Sequence, residues 1–279
     1  MINGKAIYTP KGAALEYGRV GCNFYTGCPH ECEYCYLKRG APSKQLGGTE
    51  VRLKKCFKDV GDALEIWSKE VRKYIDTLRE TGVFFSFTTD PLIPETRDLT
   101  LSAISFLSDL GIKSYVLTKN HTFYEYDRFT RMLPSLNKEL VHFGFTFTGR
   151  DDMEPKASKN SQREYVLRCL HDQGYKTWAS IEPVVDWESS CRMIARLLDV
   201  CDHFKVGLRS GVSRDYYNPQ ETLASVEWLT TVIPNHGGTV YLKQSVRTYL
   251  NMVLCLSISQ FDEIVGRTVD MYGKPFLIK

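Results

Sequence analysis

Several features are missing from this chain of 279 residues. It has no run of about eighteen apolar residues, which argues against a membrane-spanning helix, and the opening Met1-Ile2-Asn3-Gly4-Lys5 lacks the apolar core of a secretory signal. The expectation is a soluble, cytoplasmic protein. Strong charge of either sign is lacking too: a formal net charge of +3 is too small to mark a dedicated nucleic-acid binder and is no bar to one. No phosphate cradle is visible. Gly40 to Gly48, with Pro42 and Gly47-Gly48, reads as a surface loop, because no Lys-Ser/Thr pair or helix start follows at the required spacing. A disulfide framework does not fit an odd number of cysteines in a long chain. Cys22, Cys56, Cys169, Cys191, Cys201 and Cys255 are scattered, as small buried hydrophobes in a reducing compartment are.

What is present is a repeated alternation of short β-rich runs and amphipathic helices. Strands are predicted over Arg19 to Tyr25, Glu50 to Phe57, Val83 to Phe87, Ile112 to Leu117, Leu140 to Phe147, Tyr175 to Ile181, Phe204 to Leu208 and Thr239 to Leu242. Between them, Asp62 is a candidate cap for a helix with the stripe Leu64, Trp67, Val71, Ile75 and Leu78, which ends at Gly82. Further helices are predicted from about Leu99 to Gly111, over Phe123 to Leu133, from a capping box at Ser161-Gln162-Arg163-Glu164 to Gly174, over residues 189 to 199, and from the cap Asn218-Pro219. Beyond Gln244 the periodicity is weak and no element is assigned.

Strands alternating with helices imply parallel strands joined by right-handed crossovers. Polar residues recur where these strands stop: the cysteine loop, Thr88 to Asp90, Lys119, Thr146 or Thr148, Glu182, Arg209 and Lys243. A β/α barrel gathers such ends on one rim, whereas an open sheet gathers them only near its switch point. The expected fold class is therefore α/β, a partial TIM-like barrel of about six parallel strands. In this reading residues 1–18 form an N-terminal extension, 19–243 the barrel and 244–279 a C-terminal extension.

The remaining cysteines lie in Cys28-Pro29-His30-Glu31-Cys32-Glu33-Tyr34-Cys35. Three thiolates on one short loop can hold three irons of a 4Fe-4S cluster and leave the fourth without a protein ligand. Zinc, with His30 or Cys22 as fourth ligand, is the alternative. Structural zinc sites bring ligands as two separated pairs, and no second Cys-Cys or His-His pair follows here. Cys22 as a fourth cluster ligand would close the open iron and leave only electron transfer.

The cysteine spacing, with an aromatic at Tyr34 after the first strand of a β/α chain, resembles the radical S-adenosylmethionine (SAM) superfamily. More narrowly the chain resembles the spore photoproduct lyase-like branch, over most of residues 20 to 210. The matching segments are Asn23-Phe24-Tyr25-Thr26-Gly27-Cys28, Tyr34-Cys35-Tyr36, Thr89-Asp90-Pro91 with Glu95, Thr118-Lys119, Glu154-Pro155 with Arg163, Leu170-His171-Asp172-Gln173-Gly174 and Ile181-Glu182-Pro183. The resemblance implies a partial barrel with a 4Fe-4S cluster on Cys28, Cys32 and Cys35 at its mouth. It implies SAM chelated to the open iron, a reductant such as flavodoxin or ferredoxin, and a 5'-deoxyadenosyl radical that abstracts hydrogen from a substrate.

The resemblance also implies roles for other residues. Tyr34 is expected near the adenine, Thr89 and Asp90 at the ligand's amino end, and Lys119 at its carboxylate. Thr148 and Glu182 are candidate ribose partners, and Arg163 either contributes to the cofactor site or covers a helix end. Arg209 and Lys243, from their place at later strand ends away from the cysteine loop, are the expected substrate contacts, their cationic heads suiting a phosphate or carboxylate. The basic run Arg52, Lys54, Lys55 and Lys58 reads either as a nucleic-acid track or as a solvated strand face. One departure from the branch is clear. Its radical-quenching cysteine near the second barrel strand is absent, since the region reads Phe85-Ser86-Phe87-Thr88-Thr89, which argues against thymine-dimer repair by that route. Cys56 is the nearest cysteine in sequence, as a hydrogen donor or an inert core thiol. The expected function is a radical SAM enzyme acting on a nucleobase, nucleotide or nucleic acid. The alternatives are a peptide or small-metabolite substrate, and a non-catalytic iron-sulfur or zinc protein.

Overall fold

A computed structural model of the chain describes residues 1–39, 43–44, 46–252 and 257–270. Cys255, parts of the Gly40 to Gly48 loop and the end of the C-terminal segment lie outside the described residues. The chain packs as two compact units, Met1–Gly144 with Met153–Lys176, and Phe145–Asp152 with Thr177–Lys279.

The first unit opens with β1 (Ile7–Tyr8), antiparallel to β2 (Gly21–Cys22). The expected strand from Arg19 to Tyr25 is thus broken: after β2 the chain leaves the sheet at Asn23 and resumes as β3 (Tyr25–Thr26), which pairs with β4 (Arg52–Leu53) in a separate two-stranded ribbon. The Asn23 side chain explains the break, because its Oδ1 accepts the Phe87 N–H at 2.8 Å and its Nδ2 donates to the Tyr8 hydroxyl at 2.8 Å. β4 is far shorter than the Glu50 to Phe57 alternation suggests.

Helix α1 (Val60–Lys73) is capped by Asp59, which accepts the Asp62 N–H at 2.8 Å; Asp62, the expected cap, instead accepts the Lys58 N–H. Tyr74 interrupts the long apolar stripe, so Ile75 and Leu78 belong to a second helix, α2 (Ile75–Thr81). β5 (Val83–Phe85), α3 (Arg97–Asp109), β6 (Ser114–Thr118), α4 (Asp127–Met132), β7 (Val141–Thr146, its first four residues in this unit) and α5 (Asn160–Asp172) follow. The strand order is β1-β2-β5-β6-β7, with β2, β5 and β6 parallel. Trp67 fills the core between Phe24 and Phe85, with ring centroids 5.6 and 5.8 Å away, and a second aromatic group joins Phe123, Phe129, Phe143 and Tyr175. α5 begins two residues earlier than expected: Lys159 is its cap residue in place of Ser161, and the Gln162 side chain accepts the Lys159 N–H at 2.9 Å.

The second unit holds β8 (Lys176–Val184), α6 (Trp187–Leu197), β9 (His203–Leu208), α7 (Pro219–Asn235), β10 (Thr239–Leu242), α8 (Gln244–Met252) and α9 (Ile258–Val265). β9 lies between β8 and β10, parallel to both. β8 runs on through Glu182-Pro183, the expected stop, with an irregular register between Ile181 and Val184. Asn218 caps α7 by accepting the Glu221 N–H, with Pro219 at the first helical position as read from the sequence. α8 and α9 are the elements that weak periodicity hid. Among the described residues no helix is long and apolar enough to cross a membrane.

Candidate active site

The cysteine loop starts where it does because of Gly27. Its φ is +82°, and a Cβ there would lie 2.0 Å from the Glu50 carbonyl oxygen, so no other residue fits between β3 and Cys28. The Cys28 N–H then donates to the Gly48 carbonyl at 3.0 Å. Glu31 takes a left-handed conformation (φ +54°), and the Cys35 N–H closes a turn on the Cys32 carbonyl at 3.2 Å. Cys32 is buried, and Cys28 and Cys35 are partly covered. Burial pushes the Cys28 thiol up to about 12, with the Asp90 charge adding to the shift, and raises Cys32 as well.

Segment 153–158 lines the loop. The Glu33 N–H donates to the Met153 carbonyl at 3.0 Å, and the Lys156 N–H to the His30 carbonyl at 3.3 Å. Tyr34 donates its hydroxyl to Glu154, whose other oxygen is paired with Arg163. The Glu154 and Arg163 side chains are both 0% exposed, which makes this a fully buried ion pair. Burial works against the charge on Glu154, yet Arg163, Lys119 and the Tyr34 hydroxyl together hold its carboxyl below the ordinary range. Lys119 Nζ stands 5.7 Å from the centroid of the Tyr34 ring. Burial disfavours that ammonium as well, yet the neighbouring Cys32, Glu154 and Cys28 hold its pKa above the ordinary lysine value.

The ends of β5 and β6 complete the site. The Thr88 hydroxyl donates to the Tyr25 carbonyl, while Thr89 Oγ1 is buried with no hydrogen-bond partner among the described residues. The Asp90 carboxylate accepts from His30, Thr118, and the backbone N–H groups of Leu92 and Lys119. The structure therefore brings Cys28, Cys32, Cys35, Tyr34, Thr89, Asp90, Lys119 and Arg163 together in one unit. The Arg163 guanidinium is buried against Glu154, and the donors on the Asp90 carboxylate all come from within the protein.

In the second unit the remaining candidates divide. Lys243 is buried and binds Glu182 through both carboxylate oxygens, at 2.7 and 2.6 Å, so the expected ribose partner and the expected substrate contact are each other's partners. Gly207 of β9 lies beneath them: a Cβ there would come within 3.0 Å of the Cδ atoms of both side chains. Thr148 is fully buried, and its hydroxyl accepts the Arg150 N–H at 3.1 Å. Arg209 differs. Its N–H donates to the Tyr217 hydroxyl at 2.8 Å, but its Nε is buried without a hydrogen bond and its guanidinium has no ion-pair partner among the described residues.

Of the other residues singled out from sequence, Cys22 lies in β2, its thiol raised by burial, with Lys54, Glu70 and Tyr8 as the charged or polar groups that bear on it. Cys56 is exposed, which removes the inert-core reading. In the basic run, Arg52 is paired with Glu50, and Lys54 donates to the Lys5 carbonyl at 2.5 Å. Sequence reasoning undervalued His30 and Glu154. Glu154 is 120 residues from the Tyr34 it holds, and no local pattern marks such a pair.

Among the described residues no three His, Cys, Asp or Glu side chains are drawn together tightly enough to share one metal ion. A 4Fe-4S cluster demands something different, one thiolate on each iron it binds, and three thiols on one turn-rich loop suit that demand. The unpartnered Thr89 hydroxyl and the Lys119 ammonium suit the amino and carboxylate ends of an amino-acid ligand.

No protein-family model matches the chain. The fold is recognisable. Spore photoproduct lyase, solved in complex with a dinucleoside spore photoproduct, superposes with a TM-score of 0.59 at 17% identity, covering 81% of this chain and 77% of that one. This chain has the spore photoproduct lyase fold. SuiB of Streptococcus suis, solved bound to S-adenosylmethionine, superposes with a TM-score of 0.55 at 15% identity, covering 87% of this chain and 55% of SuiB. The α/β class with parallel strands, expected from the alternation of strands and helices, is the fold observed. An uncharacterized protein of Methanocaldococcus jannaschii is 24% identical over 167 residues, 58% of this chain and 59% of the relative. The match thus spans less than two thirds of that relative's length.

Proposed function

We propose that the protein is a radical SAM enzyme in which Cys28, Cys32 and Cys35 hold a 4Fe-4S cluster and leave one iron open to S-adenosylmethionine. The observation that carries the reading is the meeting of three loop thiols, an unpartnered buried Thr89 hydroxyl and the Lys119 ammonium in one unit. In this reading Thr89 accepts from the ligand's amino group, Lys119 neutralises its carboxylate, and Tyr34 presents its ring to the adenine. Glu154 and Arg163 hold Tyr34 in place. When bound, the cluster and SAM supply reductive carbon–sulfur cleavage and a 5'-deoxyadenosyl radical that abstracts hydrogen. Electrons come from a reductant such as flavodoxin or ferredoxin. Lyase, isomerase and transferase outcomes are all compatible with that chemistry. The free thiols of the described cysteines suit the reducing cytoplasm.

The preferred substrate is a nucleobase, nucleotide or nucleic acid. Arg209, a cation at the end of β9 whose guanidinium makes no ion pair among the described residues, supports an anionic group on it, and a phosphate or carboxylate matches the guanidinium fork. The spore photoproduct lyase structure holds a dinucleoside; the second reading, a peptide or small metabolite, rests on SuiB, also solved bound to its precursor peptide. Anaerobic reconstitution tests the chemistry: about four irons per chain and reductive formation of 5'-deoxyadenosine are expected. Bound zinc with no SAM cleavage would overturn the reading in favour of a non-catalytic metal protein. Salt-sensitive binding to DNA or RNA that weakens in Arg209→Met supports the nucleic-acid substrate, and no binding to either favours the peptide or metabolite.

A further inference from the structure

Asp90 stands at the strand end where an acidic side chain invites assignment to an ammonium ligand, and its carboxylate is already full. Oδ1 accepts the Leu92 N–H at 2.9 Å and the Thr118 hydroxyl at 2.7 Å. Oδ2 accepts His30 Nε2 at 2.8 Å and the Lys119 N–H at 2.7 Å, with the Thr118 hydroxyl 3.0 Å away. An ionised carboxylate has about four acceptor sites, and these donors take them. The Asp90 and His30 side chains are 4% and 7% exposed. His30 lies between Cys28 and Cys32, and its Nδ1 is 3.4 Å from the Lys156 carbonyl.

We infer that Asp90 is a positioning residue: through His30 it clamps the cysteine loop to the ends of β5 and β6, and it does not bind the ligand itself. The inference deepens the reading of the cysteine loop as a cluster site and rests on it for its meaning, though the clamp exists in the protein without a cluster. Three separate pieces of chain meet on one side chain: the loop through His30, the start of the post-β5 turn through Leu92, and the end of β6 through Thr118 and Lys119. Two of the donors are backbone N–H groups, one on each oxygen, and neither can turn away. Replacing either oxygen by an amide NH2 therefore sets donor against donor, whichever way the amide is rotated. Burial opposes the charge on Asp90, but the His30 and backbone donors hold its carboxyl below the ordinary range, so the clamp is in its accepting form at neutral pH.

The test compares Asp90→Asn, His30→Ala, the double variant and His30→Gln, whose amide can return an N–H to Oδ2. In the protein without a cluster, backbone amide exchange over residues 28–35 should rise at least about tenfold in Asp90→Asn and in His30→Ala, the factor set by losing one buried charge-assisted hydrogen bond. The double variant should add little, and His30→Gln should restore most of the protection. After anaerobic reconstitution with iron and sulfide, the electron paramagnetic resonance g-values of the reduced cluster should shift alike in Asp90→Asn and His30→Ala and return in His30→Gln. A residue that merely stabilised the fold would lower the melting temperature and leave those g-values unchanged. Loop protection unaltered in Asp90→Asn, with SAM affinity lost, would overturn the inference and make Asp90 a ligand-binding residue. If Asp90→Asn does not fold, His30→Ala and His30→Gln decide the question from the other end of the clamp. A wild-type protein that takes up no iron would sink the cluster reading alone, because the exchange measurement is made without it.

Discussion

Removing the Arg163 guanidinium should expose how much the site depends on one buried charge pair. In Arg163→Met the Glu154 carboxylate keeps the Tyr34 hydroxyl and the nearby Lys119 charge but loses its partner, with both side chains 0% exposed beforehand. Breaking a buried pair by removing one member costs about 3–5 kcal/mol, and the two surviving contacts place this case near about 3 kcal/mol. For a chain of this size that is a fall in Tm of roughly 6–12 °C, at about 2–4 °C per kcal/mol. Differential scanning calorimetry and urea unfolding at pH 7 would read it.

The acid limb gives a second signature. The carboxyl of Glu154 lies below its ordinary 4.5 in the folded protein, so its contribution is complete above that pH and lost as pH falls through the lowered folded value. Arg163 is one of the groups that depress it. In Arg163→Met that depression shrinks, so the acid-linked loss carried by Glu154 should be smaller and should be complete at a higher pH than in the wild type. The double variant Glu154→Met/Arg163→Met, which buries no charge at this position, should recover most of the lost stability. A single Arg163→Met that stays within about 1 kcal/mol of wild type, with an unmoved acid limb, would refute the assignment of a buried pair as the support beneath Tyr34.

Gly207→Ala should cost about 1–3 kcal/mol in urea unfolding, because its Cβ must push apart the Glu182–Lys243 pair that lies over β9; an unchanged midpoint would mean the pair is not seated there. Glu70→Ala should free the N-terminal segment, since one carboxylate accepts the N–H groups of Lys5, Ala6 and Ile7 at 2.6, 3.0 and 3.0 Å; hydrogen exchange at those amides should lose its protection, with a global cost on the order of 2 kcal/mol. Cys22→Ala should still load about four irons per chain, and loss of iron there would show that a fourth cysteine ligand had been miscounted.

The alternation of strands and helices was legible in the sequence because apolar periodicity and glycine or proline stops mark each element locally. β10 and the Asn218-Pro219 cap fall where that pattern places them. Boundaries failed where one side chain overrode the periodicity. Asn23 peels the chain off the sheet after Cys22, and Tyr74 splits an apolar stripe that reads as one helix. α8 was hidden for another reason: Arg247 is buried against Tyr241, so a core-facing position carries a charge. The cysteine loop was legible because its three cysteines lie within eight residues. Asp90, Lys119, Glu154 and Arg163 stood out through the resemblance, but what each one holds was not legible, since they reach the loop from four other places in the chain.

Residue type at a strand end is thus an incomplete guide to its work. Acids and bases at such ends can face a ligand or each other, and sequence does not distinguish the two, because the partner is remote. Hydrogen-bond capacity does. Asp90, Glu154, Glu182 and Lys243 spend theirs within the protein, which fits them for holding. Thr89 keeps an unpaired buried hydroxyl, Lys119 an ammonium near the Tyr34 ring, and Arg209 a guanidinium with no ion-pair partner among the described residues. A buried polar atom without a partner costs roughly 1–3 kcal/mol, so a ligand that satisfies it recovers that energy on binding. Binding is therefore best sought at the residues whose bonds the fold leaves unmade, and Thr89→Val should weaken SAM binding measured by calorimetry while leaving stability unchanged or raised. A Thr89→Val protein with unaltered SAM affinity would show that the hydroxyl faces no ligand.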